Sequence, residues 1–120
     1  MLETDDLLVE LREGGALWLT FNRPEVFNAF SGELSVALAE RLEAAASDGD
    51  VRVVVLTGTG AAFSAGADIS GENAVERFDV RALDAANRII RAVTACPQPV
   101  VATRTMSLPH GCWRILWAAS

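Results

Sequence analysis

The sequence has little from which to build a metal site or a disulfide framework. Its 120 residues hold only the cysteines Cys96 and Cys112 and a single histidine, His110. Cys96, in an apolar context, reads as a buried thiol. No apolar run approaches the ~20 residues that span a bilayer, so no membrane partner is expected. Positive charge is also short: Lys and Arg total 10 against 16 Asp and Glu, a net charge of −6, which argues against a nucleic-acid partner. The opening Met1-Leu2-Glu3-Thr4-Asp5-Asp6 is acidic where a signal peptide is basic, and a cytoplasmic location is expected. Internal repeats and low-complexity segments are missing as well. What is present, 51% hydrophobic and 22% charged residues, is the usual mixture for one globular domain or part of one.

Leu7 to Arg12 and Ala16 to Phe21 each alternate apolar with other residues, and Glu13-Gly14-Gly15 between them supplies turn chemistry. The pattern predicts a hairpin that ends at Asn22-Arg23-Pro24-Glu25, where proline cannot continue a ladder. Ser31 is placed as a helix N-cap with Glu33 in the first turn. Leu34, Leu38, Leu42 and Ala45 then share one helical face. Ser47-Asp48-Gly49-Asp50 ends that helix, and Val51 to Leu56 reads as a buried strand. A second helix is expected over Leu83 to Val93, stopped by Cys96-Pro97-Gln98-Pro99, with a further strand beginning at Val100-Val101-Ala102. The order strand–strand–helix–strand indicates an α/β fold.

The stretch with chemical content is Gly58 to Ile69. Small residues follow a buried strand, so the backbone turns sharply and comes close to a ligand, with Ala65-Gly66 at the centre. A strand end, a small-residue loop and a candidate helix start make a plausible oxyanion-binding site. The same residues could form no more than a tight turn. Asp68 is read as a helix N-cap rather than a catalytic acid, and Arg23 as a surface arginine beside a turn rather than a ligand for phosphate. Asn22 and Asn28 are read as side chains that hydrogen-bond to loop backbone.

Asn22-Arg23-Pro24-Glu25 with Asn28-Ala29 resembles the N-R-P-E-x-x-N-A signature of the enoyl-CoA hydratase/isomerase (crotonase) superfamily. Val53 to Gly58 leading to Phe63-Ser64-Ala65-Gly66-Ala67-Asp68-Ile69 resembles its second signature, and Pro97 to Ala102 the approach to a third. The resemblance covers about Leu8 to Ala102. It implies a crotonase-like spiral of ββα units, here incomplete, that binds an acyl-CoA thioester as substrate, with no permanently bound cofactor. It implies that backbone N–H groups stabilise the thioester oxygen as an enolate forms, and the motif match puts the first of them on Ala65. Ala29, Ser64, Ala65, Gly66, Ala67, Asp68 and Ile69 would line the CoA path. Family members assemble through C-terminal helices with no counterpart in this sequence. Val26 stands where many members carry a basic residue.

Residues 1–102 are accordingly expected to form the N-terminal part of an acyl-CoA-binding domain, with 103–120 an atypical tail. Two of the 3 tryptophans and the sole histidine fall in that tail, and no acidic residue follows Asp84, so the family's two glutamates have no counterpart. Back-translation of Gly111 to Trp117, shifted by one base, is compatible with Gly-Val-Gly-Ala-Ser-Phe-Gly-Leu, a family-like glycine turn. Truncation or a shift in reading frame is therefore expected. The sequence leaves open a hydratase or isomerase lineage, a non-catalytic acyl-CoA-binding module, and a truncated product without activity.

Overall fold

The structure, a computed structural model, describes residues 2–60, 62–66, 80–105 and 113–119. A hairpin of β1 (Leu7–Arg12) and β2 (Ala16–Phe21) is followed by a short 3-10 turn (Pro24–Val26) and helix α1 (Gly32–Ala46). Strand β3 (Val53–Gly58), helix α2 (Val80–Ala95) and strands β4 (Val100–Thr105) and β5 (Trp113–Ala119) follow among the described residues. The strands form one sheet in the order β1-β2-β3-β4-β5. β1 is antiparallel to β2, β2 to β4 run parallel, and β5 is antiparallel to β4.

The expected α/β order holds, and its causes are local. Gly14 and Gly15 turn the hairpin with φ of 89° and 85°. Ser31 caps α1 by accepting a hydrogen bond from the Leu34 N–H at 3.1 Å. Leu34, Leu38 and Leu42 of α1 are fully buried against Leu19, Phe21 and Val54 of the sheet, with Ala92, Ile89 and Val93 of α2 beside them. β3 starts two residues later than the apolar run suggested. Val51 is buried but donates its N–H back to Asp48 at 3.2 Å, closing a turn rather than a ladder.

Gln98 explains how the parallel strands stay in step. Its Nε2 donates to the carbonyls of Ala45 (2.7 Å) and Val51 (3.2 Å), satisfying the end of α1 and the entry to β3 together. The Cys96 Sγ, on a buried residue, donates to the Gln98 Oε1 at 3.2 Å. Across the outer side of the helices, Arg88 makes a forked contact with Glu43, its Nε reaching both carboxylate oxygens at 2.9 and 3.1 Å. That hydrogen bond holds the Glu43 carboxyl below its ordinary value and raises Arg88.

Two predictions follow from this packing. Thr57 is 4% exposed and its Oγ1 has no hydrogen-bond partner. A buried hydroxyl without a partner costs more than the apolar group of the same shape. Thr57→Val should therefore raise unfolding stability by about 1 kcal/mol, read from urea denaturation. The lowered Glu43 pKa gives stability that is present above the unfolded value and is lost as pH falls through the folded one. At low salt, Glu43→Gln should flatten the acid side of the Tm-against-pH curve while leaving its slope above pH about 6 unchanged.

Candidate functional site

The carboxyl ends of the parallel strands β2 and β3 carry the two sequence motifs, and one side chain joins them. Asn28 is fully buried, and its Nδ2 donates to the carbonyls of Thr59 (2.8 Å) and Ala62 (2.7 Å). Its Oδ1 accepts from the Arg23 N–H at 2.8 Å, and its own N–H donates to the Arg23 carbonyl at 2.8 Å. Every polar group of the side-chain amide is used, as a buried amide requires. The expectation that Asn28 secures loop backbone is met, and so is that for Asn22, whose Nδ2 donates to the Asp5 carbonyl at 3.0 Å.

Gly58 shows how tightly the loop folds over the end of β3. A Cβ there would lie 2.4 Å from the Phe63 carbonyl oxygen, 2.6 Å from that of Ala62 and 2.7 Å from the Asn28 Nδ2. Only glycine permits that approach. Beyond it the loop is stitched to the turn after β2. The Ala65 N–H donates to the Phe27 carbonyl at 2.9 Å, and the Phe30 N–H donates to the Gly66 carbonyl at 2.7 Å. The Ser64 hydroxyl donates to the Asn28 carbonyl at 2.9 Å and accepts from the Gly66 N–H at 3.1 Å.

Ala29, Ser64, Ala65 and Gly66 are thus brought together, in roles more structural than the sequence suggested. The Ala65 N–H, expected to be bare and aimed at a thioester oxygen, is held by Phe27, and the Gly66 N–H by Ser64. Ala29 is 7% exposed and backs the turn, its carbonyl accepting from the Arg23 guanidinium. Arg23 is not the surface arginine expected. Its side chain is 15% exposed and lies 3.8 Å from Asp6, tucked under the turn it stabilises. Gly66, by contrast, has φ of 94° and, among the described residues outside its chain neighbours, nothing within 4 Å of where a Cβ would stand. Ala67, Asp68 and Ile69 lie outside the described residues.

Sequence reasoning missed the backbone of Phe27 and Asn28, which are both left-handed, with φ of 54° and 57°. Asparagine tolerates this region, whereas for phenylalanine it costs about 1 kcal/mol. The N-R-P-E-x-x-N-A spacing was the available signal: a proline turn and an asparagine a few residues on demand a compact reversal between them. Among the described residues, no group of three or more His, Cys, Asp or Glu could hold a metal ion, and no helix is long and apolar enough to cross a membrane.

Comparison with known proteins agrees with this geometry. Residues 12–105 match the family model described as enoyl-CoA hydratase/isomerase. The chain is 35% identical over 101 residues to the 1,2-epoxyphenylacetyl-CoA isomerase of Escherichia coli K12, covering 74% of this chain and 36% of that protein. It is 41% identical over 88 residues to a "Probable enoyl-CoA hydratase echA6" of Mycobacterium tuberculosis, covering 71% of this chain and 33% of the relative. Among solved structures, an enoyl-CoA hydratase from Mycobacterium avium subsp. paratuberculosis K-10 superposes with a TM-score of 0.72 at 34% identity, over 85% of this chain and 39% of that one. The chain spans about a third of the length of the curated relatives it matches. Fold order, both motifs and these matches place the chain in the enoyl-CoA hydratase/isomerase family, as part of a crotonase-like α/β spiral.

Proposed function

We propose that this chain carries the acyl-CoA-binding, oxyanion-stabilising part of an enoyl-CoA hydratase/isomerase site. The observation that supports the reading best is the loop 62–66, pinned to the 27–30 turn by backbone and Ser64 contacts. On its open side it presents Gly66, where no atom of the described residues outside its chain neighbours lies within 4 Å of the place a Cβ would take. A rigid, small-residue backbone edge is what a thioester oxygen needs as charge moves onto it, because fixed N–H dipoles cost no reorganisation at that moment.

We assign the donor to Ala67 rather than Ala65. The Ala65 N–H is held by the Phe27 carbonyl and the Gly66 N–H by Ser64, so the assignment passes to the next small residue of the motif, which lies outside the described residues. On the motif match, Gly66 with Ala67 to Ile69 would line the CoA path. Ser64 and Ala29 would back it. The reading assigns thioester binding and charge stabilisation to these residues. The substrate is an acyl-CoA, and no resident cofactor is needed for this role. We further propose that 103–120 is read out of frame. The encoding DNA tests this: a family-like continuation in another frame is expected, and finding none overturns it.

Titrating the 15N-labelled chain with butyryl-CoA tests the donor. The Ala67 amide proton should move downfield by more than any other, with Ala65 nearly still. A dominant shift at Ala65 would return the donor there, and no shift anywhere in the loop would remove the reading. Asn28→Asp probes the loop's support. It keeps the shape but turns a donor toward the Thr59 and Ala62 carbonyls into an acceptor, and should cost about 3 kcal/mol in chemical denaturation.

A further inference from the structure

We propose that the outer edge of β1 pairs with the same edge of a second copy of this chain, in an antiparallel two-fold dimer that joins two sheets into one. β1 is the first strand in the sheet order and has a ladder on its β2 side only. The hairpin decides which of its backbone groups face outward. Asp6, one step before the Leu7–Phe21 pair, stands opposite Asn22, and its carbonyl accepts the Asn22 N–H at 2.8 Å. Hydrogen-bonded pairs alternate along an antiparallel ladder, so the even-numbered residues of β1 bond to β2. Phe21 agrees with this alternation, since its carbonyl turns to the β3 side and accepts from Thr59 at 2.9 Å. The N–H and C=O groups of Val9 and Leu11 therefore point away from the sheet.

Natural edge strands discourage pairing with proline, lysine or a bulge. β1 uses none of these. It reads Leu-Leu-Val-Glu-Leu-Arg and keeps an unbroken register with β2 over its 6 residues. Leu8, Val9 and Leu11 are 45%, 38% and 51% exposed, so the strand that offers outward backbone groups also offers large apolar side chains on both faces. Leu11 lies at the hairpin end, opposite Leu17, whereas the motif loops leave the sheet at the other end of β2. The pairing accordingly does not rest on the acyl-CoA reading.

Charge selects a second copy as the occupant and sets the register. Glu10 and Arg12 project from one face of the sheet, both well exposed, with Glu10 Oε1 3.3 Å from Arg12 Nε. Placing Leu11 opposite its own copy sets Glu10 of each chain against Arg12 of the other, and the two Leu11 residues exchange N–H···O bonds. Sliding the strands so that Glu10 meets Glu10 sets like charges face to face, which is unfavourable. Centring the pair on Val9 instead needs the Leu7 N–H, which donates to the Thr4 carbonyl at 3.3 Å. The same surface serves on both chains, so the contact is isologous and closes at two.

Sedimentation velocity of the full chain over a dilution series tests the pairing, and a monomer–dimer equilibrium without larger species is expected. Leu11→Lys, a change at an exposed position, sets like charges against each other and should weaken the dimer about tenfold while leaving the Tm of the dilute monomer unchanged. Glu10→Arg should weaken it as well, and adding Arg12→Glu should restore it, because the cross-chain pairs then form with their signs exchanged. In a Cys112→Ser background, Leu11→Cys should oxidise to a cross-linked dimer and Val9→Cys should not, since hydrogen-bonded partners lie about 5.5 Å apart at Cα, within reach of a disulfide. A monomer at every concentration, or growth past two chains, overturns the proposal. So does a dimer that neither Leu11→Lys nor Glu10→Arg weakens, or a cross-link that forms equally at Val9 and Leu11.

Discussion

The structure around the site depends on the buried amide of Asn28. It reaches Arg23 on one side and Thr59 and Ala62 on the other, so one side chain closes the turn after β2 and ties down the loop after β3. The bonding pattern requires a side chain with donors and an acceptor in one plane. Aspartate offers no donor, and glutamine places its amide a methylene too far out. The consequences spread from there. The left-handed pair Phe27–Asn28 turns the Phe27 carbonyl toward Ala65, and the Asn28 carbonyl takes the Ser64 hydroxyl. A loop made mostly of small residues, in which Phe63 packs beside Phe21, is thereby given a fixed course.

The sheet makes this contact possible. Because β2 and β3 run parallel in register, with Phe21 opposite Gly58, both chains leave the sheet at the same edge. The Thr59 N–H continues the pairing by donating to the Phe21 carbonyl at 2.9 Å. Ligand sites in α/β sheets gather at such carboxyl ends, where loops rather than packed elements meet. The helices stabilise from the other end: α1 buries its leucine face against β2 and β3, and Gln98 fastens the close of α1 to the start of β3. The edge where the two motif loops meet is thus distant from the edge that Gln98 secures.

How far this was legible in the sequence depends on the range of the interactions concerned. The hairpin, the Ser31 cap and the leucine face of α1 are written in short periods and single cap residues, so pattern alone placed them. Asn22 and Asn28 were legible by type, since such side chains near turns bond to backbone. The start of β3 was misplaced because Val51 is as apolar as a strand residue and only its bond to Asp48 reveals a turn. The partners of Ala65 and of Arg23 were not legible. Both are fixed by tertiary contacts, Phe27 for one and Asp6 with Ala29 for the other, that no local pattern encodes. The strand β5 was likewise not anticipated, its pairing with β4 being set across the register shift at Ala102/Thr103.

The small residues of the loop, alike in sequence, separate once their surroundings are known. Gly58 is fully explained by the fold, since any Cβ would overlap the Phe63 and Ala62 carbonyls and the Asn28 amide. Ser64 is explained as well, spending its hydroxyl on Asn28 and Gly66. Gly66 is explained only in part. Its φ of 94° favours glycine, yet none of the described residues outside its chain neighbours would crowd a Cβ there. Phe27 presents the complementary case, an apolar ring exposed where a small or polar residue would serve the backbone better. One position is uncrowded among the described residues and the other shows an exposed aromatic ring, and a single hydrogen bond between Ala65 and Phe27 links their two segments. The fold accounts for how these segments are held, and the proposed acyl-CoA ligand would account for what they leave uncovered.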